Sequence, residues 1–146
     1  MRFMVLVPGS AESEKNEMID PRIVEAMTAY NEQLGKAGVL LTADGLHPTA
    51  RGAKVRFDGN PFDGEVTKRV IDGPFTEAKE LVAGYWILQC QSKEECVEWV
   101  KKAPFGGGVE IEIREIYDTE DFFADHNLSD DLKAREQQLA AQLESR

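Results

Sequence analysis

The chain has 146 residues, 42% of them hydrophobic and 30% charged, a composition that suits one globular domain with an ordinary core. Its net charge of −10 repels phosphate backbones and anionic lipid, which argues against nucleic-acid or membrane-surface binding. No window approaches the roughly 20 apolar residues of a membrane span, and Phe3 to Val7 is too short for a signal-peptide core, so a cytoplasmic location is the expectation.

In chain order, residues 2–7 (RFMVLV) read as a buried strand, with Phe3, Val5 and Val7 facing one way and Met4 and Leu6 the other. Asp20-Pro21 opens a helix with an N-cap aspartate and a proline at the first helical position. Ile23, Met27, Tyr30 and Leu34 form its apolar stripe, and Gly38 closes it. A strand starts at Val39-Leu40-Leu41. The glycines and prolines of residues 44–66 then mark a hairpin region, with strands over 53–57 and 66–71. Residues 81–90 read as a long strand. Ser92-Lys93-Glu94-Glu95 is a capping-box pattern opening a helix that carries Cys96, Val97, Trp99 and Val100. Gly106-Gly107-Gly108 precedes a strand and not a helix, so it lacks the geometry of a phosphate loop. Residues 109–117 alternate as a final strand.

Strand–helix–strand, a hairpin section, then strand–helix–strand is the split βαβ plan of a ferredoxin-like α+β sandwich. Helices cover one face of such a sheet, yet Met4, Leu6 and either Tyr85 or Trp86 make the other face apolar as well. A second copy is the economical cover, which predicts a homodimer joined sheet to sheet. Residues 124–146 are set apart as an acidic helical extension. From Asp118 onward eight acids face three bases, and Leu128, Leu132, Leu139 and Leu143 lie on one helical face behind Ser129 as N-cap. That helix either clasps a partner or lies on its own body.

Cys90 and Cys96 are the only cysteines, and His47 and His126 the only histidines. Their spacing offers no zinc set, so reduced, buried thiols and no metal or cofactor are expected.

The segments AGVLLTADGLHPTARGAKVRF, VIDGPFTEAKELVAGYWIL and EIEIREIYDTEDF resemble, in that order, the YCII-related family in its DGPF subgroup, over roughly residues 1–123. The resemblance implies a ferredoxin-like domain forming a dimeric α+β barrel. It also implies kinship with small isomerases, monooxygenases and dehydrochlorinases that hold an organic substrate between helix and sheet. A genomic association of some members with extracytoplasmic sigma factors implies a stress or signalling setting. The histidine that presumed enzymes of the family carry on the first helix has no counterpart here, since PRIVEAMTAYNEQLGKAG contains none.

Two candidate sites follow. Asp72-Gly73-Pro74-Phe75 is turn chemistry: aspartate bonding its own backbone, glycine taking an unusual φ, proline fixing its neighbour, and Phe75 plugging the sheet edge. It also sets Asp72, Glu77 and Lys79 around an aromatic floor of Phe75, Tyr85 or Trp86, the mixture of small-molecule sites. Asp44 and His47, after a buried strand, could form a replacement acid–base dyad; a solvated loop histidine is the other reading. The functional expectation is a small-molecule-binding homodimer. A cofactor-independent lyase or isomerase acting on an acidic or phenolic compound, and an interaction protein linked to sigma-factor signalling, are the alternatives.

Overall fold

In the computed structural model, which describes residues 1–15, 17–77 and 80–146, the chain is an α+β sandwich with a hairpin inserted at one end. Strands β1 (Arg2–Pro8), β2 (Leu40–Gly45), β5 (Val82–Gln89) and β6 (Glu112–Glu115) form one sheet in the order β2-β5-β1-β6. All three pairings are antiparallel. Helix α2 (Pro21–Lys36) joins β1 to β2, and α3 (Lys93–Val100) joins β5 to β6. Each connection skips the strand inserted between its two ends, which is the ferredoxin-like arrangement. Strands β3 (Ala53–Asp58) and β4 (Thr67–Asp72) form a separate two-stranded ribbon. The short helix α1 (Ala11–Glu14) follows β1, and α4 (Thr119–His126) and α5 (Asp130–Glu144) end the chain.

The helix starts are set locally. The Asp20 side chain accepts from Arg22 N–H at 2.9 Å, with Pro21 in the first turn. Ser129 caps α5 through Leu132 N–H. Ser92 caps α3 through Glu95 N–H, but the Glu95 carboxylate accepts from Gln91 N–H and not from the cap residue, so the expected capping box is only half formed. A reciprocal box does form at Ser10 and Ser13, where residue types alone gave no warning. Helix α2 ends as expected, Gly38 taking a φ of +74°.

The core lies between the helices and one face of the sheet. Phe3 and Val5 of β1 stand opposite Leu88 and Trp86 of β5, and all four are buried with Tyr30, Leu34, Val39, Cys90 and Cys96. The two polar atoms of its aromatic centre are satisfied. Trp86 Nε1 donates to Asn31 Oδ1 at 2.7 Å, and the Tyr30 hydroxyl donates to the Trp99 carbonyl at 2.9 Å. Burial pushes the Tyr30 phenol up to about 12 and, with Cys90 beside it, the Cys96 thiol also up to about 12. Both cysteines are free and buried, as the residue count led one to expect.

Several expectations need correction. The last strand covers only Glu112–Glu115 and not 109–117, because pairing with β1 runs only from Phe3↔Glu115 to Leu6↔Glu112. Ile23 at the head of the α2 stripe is exposed, since burial starts one turn later. On α3 only Cys96 is fully buried, while Val97, Trp99 and Val100 are half-buried. Full burial on the first strand is confined to Phe3 and Val5 on one face, with Val7 half-buried beside them; Met4 and Leu6 are half-buried on the other face, which none of the described helices covers. Among the described residues, no helix is long and apolar enough to cross a membrane.

Candidate functional site at one end of the sheet

Of the predicted site residues, Asp44, His47 and Tyr85 lie where β1 and β2 finish and β5 begins, and Phe75 is tied to this end through Thr49. Gly9 N–H donates to Leu81 O and Leu46 N–H to Ala83 O, so the chain ends leaving β1 and β2 are zipped to the start of β5. A single turn of 3₁₀ helix (Thr49–Arg51) leads from there into the hairpin, whose base is closed by Gly73 N–H donating to Gly52 O at 3.0 Å.

On the uncovered face, Asp44 and Tyr85 meet. They are partners in the β2–β5 ladder, and the Tyr85 hydroxyl donates to Asp44 Oδ2 at 3.0 Å. The Thr42 hydroxyl donates to the same oxygen at 3.0 Å. The Tyr85–Asp44 bond, with the carboxylate charge behind it, pushes the Tyr85 phenol above its ordinary value. Met4, Leu6 and Ile87 lie in register beside the pair, giving a half-exposed apolar floor with one carboxylate–phenol couple at its end. Gly84 in β5 is buried, and a Cβ there would come within 3.0 Å of Asp44 O, so this residue lets β2 and β5 close tightly.

His47 does not join that couple. Its ring faces Arg51, whose guanidinium nitrogen lies 3.1 Å from Nδ1 and 3.0 Å from Nε2. Arginine can only donate, so the contact uses a ring lone pair. The Asp44 carboxylate is taken by Tyr85 and Thr42, and no Asp44–His47 hydrogen bond is formed. The dyad drawn from sequence spacing is thus two separate pairs, Asp44–Tyr85 and His47–Arg51.

The DGPF segment is organised by residues that sequence reasoning passed over. Thr49 Oγ1 accepts from Phe75 N–H at 2.9 Å and donates to Glu14 Oε2, while Thr49 N–H donates to Glu14 Oε1 at 3.2 Å. Glu14, at the end of α1, thereby anchors the 3₁₀ turn, and the turn anchors the segment. Gly73 is required for space and not for an unusual φ: a Cβ there would lie 1.7 Å from Thr49 O, and Gly73 is absent from the glycines with positive φ. The Gly73–Pro74 peptide is cis. Asp72 does not cap its own turn; it ends β4 opposite Ala53 and is exposed. Phe75 is half-buried beneath the Lys54 ammonium, 4.3 Å from the ring centroid. Glu77 is exposed, its carbonyl accepting from Glu80 N–H. Lys79 lies outside the described residues. Trp86 belongs to the core, leaving Tyr85 as the aromatic on the open face.

Nothing in the residue types of Glu14 or Thr49 marks them; their sequence separation of 35 is bridged only by the fold. Among the described residues no group of three or more His, Cys, Asp or Glu could hold a metal ion.

A family model described as the YCII-related domain matches residues 1–120. The chain belongs to this family. A relative, an uncharacterised protein of Rhizobium meliloti (strain 1021), is 28% identical over 102 residues, covering 67% of this chain and 77% of the relative. The matched span takes in the whole four-stranded sheet, the hairpin and the DGPF segment, and stops at the first turn of α4. The family assignment therefore applies to the site as well as the fold, and it brings no reaction with it.

Proposed function

We propose that the chain is a cytoplasmic, small-molecule-binding homodimer of the DGPF kind within the YCII-related family, in which two copies pack sheet to sheet as a dimeric α+β barrel. The observation that carries this reading is the Asp44–Tyr85 couple at the end of an apolar sheet face that the chain's own helices leave open. A closed pocket of few polar and many apolar groups is the usual form of such sites, and a second sheet would close this one. The ligand class is a small organic acid or phenol: the couple offers an acceptor and a hydroxyl, and the His47–Arg51 pair lies one short loop away to take a carboxylate. The DGPF segment with Asp72, Phe75 and Glu77 forms the rim, held by Thr49.

Turnover by proton transfer, as a cofactor-independent lyase or isomerase, is the second reading. It is favoured by the direct phenol–carboxylate bond, which joins a donor and an acceptor without metal. A tail that docks a partner is a third, favoured by the exposed Leu132, Leu139 and Leu143 of α5.

The experiment is a thermal-shift screen of the purified chain against organic acids and phenols. A ligand at 100 times its Kd adds about 2.7 kcal/mol, enough to move the midpoint by several degrees. The expected hit is lost in Asp44→Asn and Tyr85→Phe. A response that survives both substitutions removes the open face as the binding site.

A further inference from the structure

Three polar side chains on the open face have their hydrogens already committed. Ala43 of β2 packs on the core, in register with Trp86. Its neighbours Thr42 and Asp44 therefore stand on the other face, in register with Ile87 and Tyr85. There the Tyr85 and Thr42 hydroxyls both donate to Asp44 Oδ2, each at 3.0 Å. A hydroxyl carries one hydrogen and a carboxylate none, so these two bonds use every polar hydrogen the three side chains own. Lone pairs are what remains for an incoming molecule, on Asp44 Oδ1, the tyrosine oxygen and the threonine oxygen. Asp44 also holds the Tyr85 phenol above its ordinary value, so that hydrogen stays in place across neutral pH.

The rest of the face does not make good this lack of donors. None of the ion pairs among the described residues includes Asp44. Arg114 of β6 stands opposite Met4, in the row that runs through Ile87 to Thr42. That is three strand spacings from β2, roughly 14 Å. Its guanidinium is turned to Glu112, at 3.5 Å. Arg2 is at the other end of β1, opposite Gln89. Between lie Met4, Leu6 and Ile87, which carry no polar hydrogen on their side chains. A methyl ether or a second carboxylate brought against Asp44 and Tyr85 thus meets only lone pairs, and a carboxylate adds charge repulsion. A hydroxyl or a protonated amine supplies the missing hydrogen, and a bond to a charged acceptor is the stronger kind.

We propose that Asp44, Tyr85 and Thr42 form an acceptor-only end of the binding face, which selects a ligand that donates a hydrogen bond there: an organic acid bearing a hydroxyl or an ammonium group, with that group on Asp44 and its carboxylate toward Arg51. This rests on the open-face site proposed above. It narrows the ligand class from organic acids at large to those that carry a donor apart from the acid group, and it turns plain acids and their ethers away.

A matched series of probes tests it. Benzoate and phenylacetate are each taken with a para hydroxyl, aminomethyl, methoxyl or carboxylate group. Ligand-observed nuclear magnetic resonance gives Kd for the parent, Asp44→Asn and Tyr85→Phe, and far-ultraviolet spectra check that both variants fold. Probes at about 10 mM reach a Kd on the order of 1 mM. In the parent, a hydroxyl or aminomethyl probe is expected to bind at least about tenfold more tightly than its methoxyl and carboxylate counterparts, and to weaken in Tyr85→Phe. Which donor leads tells a hydroxy acid from an amino acid. Asp44→Asn removes the charge and puts an amide N–H₂ among the acceptors, so the preference is expected to fall below about threefold. Methoxyl or carboxylate probes that bind the parent as tightly as the donors, and weaken in Tyr85→Phe, overturn donor selection while leaving the open-face site standing. A donor preference that is unchanged in Asp44→Asn overturns it too. Binding that survives both substitutions, or no binding by any probe, overturns the selection and the site together.

Discussion

Replacing Thr49 by valine removes one hydroxyl at nearly constant shape and tests whether the Glu14–Thr49–Phe75 chain holds the DGPF segment. Two hydrogen bonds go with it: Oγ1–H to the Glu14 carboxylate, and Phe75 N–H to Oγ1. A bond to a charged acceptor contributes about 1.5–3 kcal/mol net and a neutral one about 0.5–1.5 kcal/mol. Glu14 and Thr49 are only half-buried, so water replaces part of what is lost and the lower ends apply. The expected destabilisation is about 2 kcal/mol, which lowers Tm by about 4–8 °C for a domain of this size. Urea unfolding gives the free energy, and the Phe75 amide, freed of its acceptor, exchanges faster with solvent. Thr49→Ser keeps both bonds and stays within about 0.5 kcal/mol of the parent. A cycle with Glu14→Gln is expected to yield a coupling on the order of 1 kcal/mol. Thr49→Val costing under about 0.5 kcal/mol, with Phe75 exchange unchanged, would refute the clasp as what positions the segment.

Gly73→Ala is the harsher change at the same junction. A Cβ at 1.7 Å from Thr49 O cannot be accommodated without moving backbone, so a loss of about 3 kcal/mol or more is expected by chemical unfolding. Asp44→Asn weakens the hydrogen bond and removes the charge that together raise the Tyr85 phenol, so phenolate absorbance should develop at lower pH than in the parent; an unmoved titration means the pair is not formed in solution. At alkaline pH the buried Tyr30 and Cys96 titrate near 12 in the folded chain against ordinary values of 10.0 and 9.0. Their protonated forms are favoured by folding, so that stability is complete below pH 9.0 and is lost as pH rises through the window up to about 12, at most on the order of 3 kcal/mol for Tyr30 and 4 kcal/mol for Cys96. A Tm that is level across that window refutes their burial. Leu34→Ala, at a position with no exposed surface, should cost about 2–5 kcal/mol by urea unfolding.

The residues by themselves determined the periodic part of this protein. Phe3 and Val5, Tyr30 and Leu34, and Trp86 and Leu88 announce strand, helix and strand by their spacing, and the caps at Asp20, Ser92 and Ser129 announce where helices start, because these signals are local. The order of those elements was enough to imply the split βαβ sheet and its uncovered face. Asp44, Phe75 and Tyr85 could be named as candidates by residue type. What joins them could not, since sequence spacing suggested Asp44 with His47, whereas the β2–β5 register sets Asp44 against Tyr85, 41 residues away. Glu14 and Thr49 were invisible for the same reason: a carboxylate in a four-residue helix and a threonine after a proline become a clasp only when β1 and β2 end on either side of the start of β5. The glycine of DGPF was read as a φ residue because turn statistics are local, and the tertiary structure gave it another cause, the close approach of Thr49 O. Periodicity also made a strand pair of residues 53–72, but it could not say that the pair would stand apart from the sheet. Burial depends on what the rest of the chain brings near, and Val55, Phe57 and Val70 stay more than half exposed.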